Sequence, residues 1–132
     1  MADSFNFELV SPERLLLSAS VTEVVIPGTD GEMTVMAQHS PTMTTIKPGV
    51  VTVVTAEGQS DRFVVFGGFA DILPDGCTLL AESAVAVADI DREDLAKRLQ
   101  DAREDVADAT NDATRQKAQE YLDHLTTLDA AI

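Results

Sequence analysis

The stretch Ser83-Ala84-Val85-Ala86-Val87-Ala88-Asp89-Ile90-Asp91-Arg92-Glu93-Asp94-Leu95-Ala96-Lys97-Arg98-Leu99 changes its hydrophobic period part-way along. Up to Val87 it has the short, β-branched character of a strand. Beyond it, Leu95, Leu99, Ala102, Val106 and Ala109 are spaced four, three, four and three apart, one stripe down a helix. Asp91 stands where an N-cap belongs, and Glu93 and Asp94 place negative charge in the first turn, where the helix dipole favours it. Glu93 with Lys97 and Asp94 with Arg98 are acid-before-base pairs four apart, each contributing about 0.2–0.5 kcal/mol. Thr110-Asn111-Asp112 interrupts the run, and Asn111 suits the left-handed residue that ends a helix. Ala118, Tyr121, Leu122, Leu125 and Leu128 then form a second stripe. Two amphipathic helices joined by so short a link fold back as an antiparallel hairpin. Its stripes are narrow and alanine-rich, so it is expected to lean on the preceding domain or on a partner.

Upstream of the switch the period is two. Phe5, Phe7 and Leu9 alternate with Asn6 and Glu8. Val21 to Ile26 runs to Pro27-Gly28, Thr29-Asp30-Gly31 turns the chain, and Glu32 to Met36 returns. Val50 to Ala56 is the strongest strand, with Val51, Val53 and Thr55 opposite Val50, Thr52 and Val54. Arg62 to Phe66 follows a turn at Glu57-Gly58; Gly67-Gly68 marks a bulge or a close backbone approach. Phe69 to Leu73, the turn Pro74-Asp75-Gly76, Thr78 to Leu80 and Ala84 to Val87 complete the pattern. Short strands joined by turns imply antiparallel pairing in a sandwich or flattened barrel. The expected organisation is α+β: a β-sandwich over residues 1–88 and a helical hairpin over 89–132.

The net charge is −14, from 23 acidic and 9 basic residues among 132. No basic surface for phosphate contacts is available, which excludes nucleic-acid binding, and docking on anionic lipid is disfavoured for the same reason. Partners with basic patches suit the chain. Cys77 is the single cysteine, so no internal disulfide forms, and it is expected as a small buried hydrophobe. No apolar run approaches the ~20 residues of a membrane span, and Met1-Ala2-Asp3-Ser4 opens without the features of a secretory signal or transit peptide.

Catalytic signals are missing from the sequence. There is no Gly-Lys-Ser/Thr phosphate loop, no third glycine after Gly67-Gly68, no Gly-x-Ser-x-Gly elbow, and no zinc spacing among Cys77, His39 and His124. His39, in Ala37-Gln38-His39-Ser40-Pro41, lacks a nucleophile partner and is expected as a loop or interface residue. The chain is therefore expected to be a binding protein without a cofactor or metal.

Several motifs follow in one order: Phe7-Glu8-Leu9-Val10-Ser11-Pro12-Glu13, Gly31-Glu32-Met33-Thr34-Val35, His39-Ser40-Pro41, Thr45-Ile46-Lys47-Pro48-Gly49, Gly67-Gly68-Phe69 and Leu80-Ala81-Glu82-Ser83-Ala84. In that order, spread over residues 5 to 88 and followed by a helical pair, they resemble the epsilon subunit of bacterial rotary ATP synthases, equivalent to the mitochondrial delta subunit. The resemblance implies a sandwich of about ten strands and a two-helix C-terminal domain. It implies a non-catalytic rotor subunit of the central stalk that grips the gamma subunit, rests on the c-subunit ring and couples proton flow to ATP synthesis. The setting it implies is the cytoplasmic face of the bacterial inner membrane, as a peripheral component. Asp30, Gly31 and Glu32 match the loop that meets the c ring; His39, Ser40 and Pro41 match a segment that faces gamma. Phe69, after the glycine pair, is expected in the core.

Two departures qualify the resemblance. Some members bind ATP through Ile/Leu-Asp-x-x-Arg-Ala at the start of the first helix. Here Ile90-Asp91 is followed by Asp94 and Leu95, and a carboxylate repels the triphosphate that an arginine would pair with. Nucleotide binding is not expected. In the family the hairpin also extends along gamma to the alpha and beta catalytic subunits, its basic last helix meeting an acidic segment there. Residues 90–132 here carry 11 acidic and 6 basic side chains, and nothing after Lys117 is basic except His124. Inhibition of ATP hydrolysis is expected to be weak. A free-standing adaptor with a nucleotide-sensing hairpin is the alternative reading.

Overall fold

Strand β1 (Phe5–Val10) buries Phe5, Phe7 and Leu9 and turns Asn6 and Glu8 outward, as period-two alternation requires. The computed structural model describes residues 3–29 and 31–132. After β1 come β2 (Leu15–Gly28), β3 (Gly31–Val35), β4 (Thr42–Ile46), β5 (Gly49–Thr55), β6 (Ser60–Val65), β7 (Gly68–Leu73), β8 (Gly76–Ala81) and β9 (Ala84–Ala86). A single 3-10 turn at Val87–Asp89 precedes α1 (Arg92–Asp108) and α2 (Asp112–Ala131). The chain divides into two compact units, one ending at Val87 and the other beginning at Ala88.

Strand β2 organises the first unit. Its first half pairs with β1, from Phe5↔Val21 to Val10↔Leu15, and its second half with β3, from Val24↔Val35 to Gly28↔Gly31. The opposite edge pairs with β5 over Val21–Val25, where the register slips between Val21 and Glu23. Such a bulge bends the strand, which lets one 14-residue segment pair with β1, β3 and β5 in turn. The path β1-β8-β7-β4-β2 closes on itself through the β1–β2 pairing, while β5, β6 and β9 extend from β2. Val24, Val51, Val53, Ile72 and Leu79 fill the interior at 0% exposure. Each side chain so buried contributes about 1.5–3 kcal/mol of transfer free energy.

Nine strands therefore stand among the described residues, against about ten implied by resemblance. Two strand segments had no sequence signal: the Leu15–Ser20 half of β2, where three leucines blur alternation, and β4, whose threonines give weak amphipathicity. The pairing is antiparallel except for β1 with β8, which is parallel. Those two are not turn-linked neighbours, and only a turn forces antiparallel pairing.

In the second unit Asp91 caps α1 as expected, its carboxylate accepting from the N–H of Glu93 at 2.9 Å and of Asp94 at 3.3 Å. Asn111 departs from expectation. It is extended (φ −146, ψ 165), and its side-chain oxygen accepts from the N–H of Thr114 at 2.8 Å, capping α2. Because α1 has already ended at Asp108 with Ala109 as its cap, and α2 starts at Asp112, Asn111 stands next to the second helix rather than the first, and asparagine is equally fit to start a helix. Arg115 donates to the Ala109 carbonyl at 3.2 Å and pairs with Asp112 at 3.2 Å. At the other end Arg92 pairs with Asp129 at 3.3 Å and donates to the Ile132 carbonyl, fixing the helices antiparallel. Arg92–Asp129 thus joins the two helices at their open end, and at the link the Arg115 bond to the Ala109 carbonyl joins them. Leu95, Leu99 and Ala102 on α1 and Leu125 and Leu128 on α2 are buried, whereas Val106, Ala109 and Ala118 near the link are only half-buried.

Candidate functional site

The β2–β3 turn is held at its base by β4. The Thr29 N–H donates to the Thr45 carbonyl at 3.1 Å, the two hydroxyls share a 2.8 Å hydrogen bond, and the Lys47 N–H donates to the Pro27 carbonyl at 3.0 Å. Gly31 leaves the turn at φ +133, and Glu32 follows, exposed, opposite Pro27. Asp30 lies outside the described residues. The carboxylate of Glu32 is thus projected from a braced strand end.

The His39 loop is braced differently. Gln38 takes the left-handed conformation at φ 69, and its N–H donates to the Pro74 carbonyl at 2.9 Å. His39 is half-buried and its Nδ1 donates to the Ser40 carbonyl at 2.8 Å, an acceptor shared with the Thr42 hydroxyl at 3.0 Å. Ser40 and Pro41 are exposed. Glu32 and His39 do not converge. The turn sits by Ile46 and the loop precedes Thr42, so β4 separates them by its own length, about 16 Å. They belong to two surfaces. Ile90, Asp91 and Asp94 cluster at the start of α1, where Asp91 is already engaged as the cap and Glu93 and Asp94 add further negative charge. A triphosphate would meet three carboxylates there.

A larger feature lies on the outward face of β1, β8, β7 and β4. Phe69, expected in the core, is 40% exposed because β7 turns Ala70 and Ile72 inward, leaving Phe69, Asp71 and Leu73 outside. Phe69 stands opposite Leu80, Leu80 opposite Val10, and Val10 opposite Leu15. Leu80 is 38% and Leu15 54% exposed. Met43, 69% exposed, and Leu73, 46% exposed, carry the apolar surface toward the His39 loop. Isolated exposed apolar side chains are ordinary, but a row in register across four strands marks an interaction surface. The signal was present in Phe69-Ala70-Asp71-Ile72-Leu73: alternation pairs Phe69 with Asp71, hence with solvent.

Cys77 is buried on β8, and its pKa is pushed up to about 12, first by burial and then by the charge of Asp71. An ordinary thiol ionises near 9.0. The folded state therefore holds its proton where the unfolded state has lost it, so stability is full below pH 9 and falls as pH rises toward 12. The expected slope is about 1.4 kcal/mol per pH unit. Urea titrations should show it in the native protein and lose that component in Cys77→Ala; parallel pH profiles for the two would refute it.

Among the described residues no three metal-ligating side chains cluster, and no helix is long and apolar enough to cross a membrane. Comparison with known proteins matches residues 4–87 to the family described as the ATP synthase delta/epsilon chain, beta-sandwich domain. The ATP synthase epsilon chain of Mesorhizobium japonicum is 69% identical over 132 residues, covering 100% of this chain and 98% of that one. That of Chelativorans sp. is 63% identical with the same coverage. Among solved structures, a chain of the Euglena gracilis mitochondrial ATP synthase (OSCP/F1/c-ring) superposes with a TM-score of 0.78 at 28% identity, covering 99% of this chain and 82% of that one. A chain from the Tetrahymena thermophila ATP synthase central stalk and c-ring shares the fold, with a TM-score of 0.69 at 12% identity and 96% coverage of each.

Proposed function

This chain belongs to the ATP synthase delta/epsilon family, and from that membership we propose that it is a non-catalytic central-stalk subunit that joins the gamma subunit to the c ring and couples proton flow to ATP synthesis. The observation that carries the reading is the apolar row Leu15-Val10-Leu80-Phe69, continued by Met43 and Leu73 to the His39-Ser40-Pro41 loop. A surface of that kind suits a permanent protein interface, and gamma is its assigned occupant. The Gly31-Glu32 turn, at the far end of β4, is assigned to the c ring, where an acidic group suits basic or amide-bearing loops. Two contacts on opposite ends of one braced sandwich are what torque transfer requires: the load passes through a ring of hydrogen-bonded strands rather than through a flexible loop. Residues 1–88 form the rotor-binding part in this reading and 89–132 a regulatory appendage, on the cytoplasmic face of the bacterial inner membrane.

Inhibition by the hairpin is proposed to be weak. An extended α2 would bring Glu120, Asp123 and Asp129 toward catalytic subunits with no base after Lys117 except His124, and like charges in a desolvated contact are unfavourable. Reconstituting the synthase with and without this chain tests both points. Omission should abolish proton-coupled ATP synthesis, while deletion of residues 90–132 should change ATP hydrolysis by less than about twofold, roughly 0.4 kcal/mol. Full coupling without the chain, or strong hydrolysis released by the deletion, would refute the corresponding part.

A further inference from the structure

The hairpin carries a surface that the rotor reading does not use. Near the link, α1 and α2 leave a groove of about 500 Å³ between them. Ala102, Ala109 and Ala118 line it, and Tyr121, 37% exposed, stands at its side. Small residues at such a seam let a third backbone approach closely, so the groove takes a helix rather than a single side chain. Its span along α1, Ala102 to Ala109, is about 10 Å, roughly two helical turns.

The charge at its rim is unusual in its placement. Asp105 and Asp108 line the groove and lie at the C-terminal end of α1, where the helix dipole is negative and acids are unfavourable; the last turn holds no base. Arg115, across the link, is committed to the Ala109 carbonyl and Asp112. Among the described residues neither Asp105 nor Asp108 forms an ion pair, and Lys117 is the one basic side chain lining the groove. Two carboxylates thus work against the helix that carries them, beside an apolar seam left open.

We infer that the hairpin tip is a docking groove for a basic amphipathic helix of a partner protein, one that seats an aliphatic ridge on the alanine seam and sets lysine or arginine against Asp105 and Asp108. An acidic or neutral helix would bury those carboxylates unpaired. A second copy of this chain brings the same acidic tip and a charge of −14. Anionic lipid is repelled on the same ground. The surface belongs to the hairpin alone and does not depend on the rotor assignment.

The probe is a helical peptide of about 14 residues with leucines at i, i+3, i+4 and i+7 and lysines flanking them, titrated into the full chain by NMR at low and high salt. Shift changes should centre on Ala102, Ala109, Ala118 and Tyr121. Asp105→Asn with Asp108→Asn, and separately Tyr121→Ala, should each weaken binding by about tenfold or more, while Glu57→Gln with Asp61→Asn on the sandwich should cost less than about twofold. Asp108→Asn alone should raise the thermal midpoint of the free protein while weakening the peptide, a divergence that a purely structural aspartate would not produce. Equal losses in the sandwich control, shifts spread over the acidic surface, or a lowered midpoint in Asp108→Asn would overturn the inference.

Discussion

Gly68→Ala is expected to destabilise the sandwich by about 4 kcal/mol or more, most of the native margin of a domain at the low end of the usual range of about 5–15 kcal/mol. Gly68 has φ +130, a conformation L side chains rarely adopt, which alone costs about 1–3 kcal/mol. The steric term is larger. An added Cβ would lie 2.0 Å from the Leu80 carbonyl oxygen and 2.9 Å from the Ala81 Cα, both backbone atoms. That backbone cannot step aside, because Gly68↔Ala81 and Phe69↔Leu80 open the β7–β8 ladder. Just outside it, the Glu82 N–H donates to the Gly67 carbonyl and the Phe66 N–H to the Ser83 carbonyl, each at 3.0 Å. Gly58 supplies the internal control: its φ is +88, but nothing lies within 4 Å of where a methyl group would stand, so Gly58→Ala should cost only about 1 kcal/mol. Urea denaturation followed by circular dichroism compares the two. Similar midpoints would show that the close approach at Gly68 is not a determinant of the fold.

The same glycine shows what sequence reasoning reaches and where it stops. Gly67-Gly68 announced either a bulge or a close approach; only the three-dimensional pairing of β7 with β8 chooses the second. Clean alternation made β1 and β5 legible residue by residue, and the period change after Val87 made α1 legible with its Asp91 cap. Local patterns failed where a residue answers to a neighbour distant in sequence. The first half of β2 is a strand because β1 pairs with it, and β4 because β7 does, not because Leu15-Leu16-Leu17 or Thr42-Met43-Thr44 alternates strongly. Asn111 has two good local roles, and its place next to α2 selects one. The candidate contacts were legible as motifs, but their separation along β4 was not, since it follows from strand order. The apolar row was hidden for the same reason: Leu15, Val10, Leu80 and Phe69 are scattered in sequence and adjacent only through three cross-strand registers.

That row carries the largest functional effect expected of any surface substitution. Phe69→Glu combined with Leu80→Glu should leave the isolated chain folded at a cost of about 2 kcal/mol, because both side chains lie on the outward face while their strands keep Ala70, Ile72 and Leu79 inside, and the cost comes from two carboxylates set opposite each other. Association with gamma should fall by about 10²–10³-fold, since a carboxylate buried without a partner costs about 3–4 kcal/mol and takes its apolar contact with it. His39→Ala should cost far less, under about tenfold, because the imidazole hydrogen-bonds to its neighbour Ser40 and the loop is also held by Gln38 and Thr42. The Glu variants should also be more soluble when gamma is absent, as an unpartnered apolar row is an aggregation liability. Calorimetric titration of purified gamma, with thermal melts of each variant run in parallel, separates the cases. Native affinity in the double variant would move the gamma contact off this face, and loss of affinity in step with a collapsed melt would assign the row to folding instead of binding.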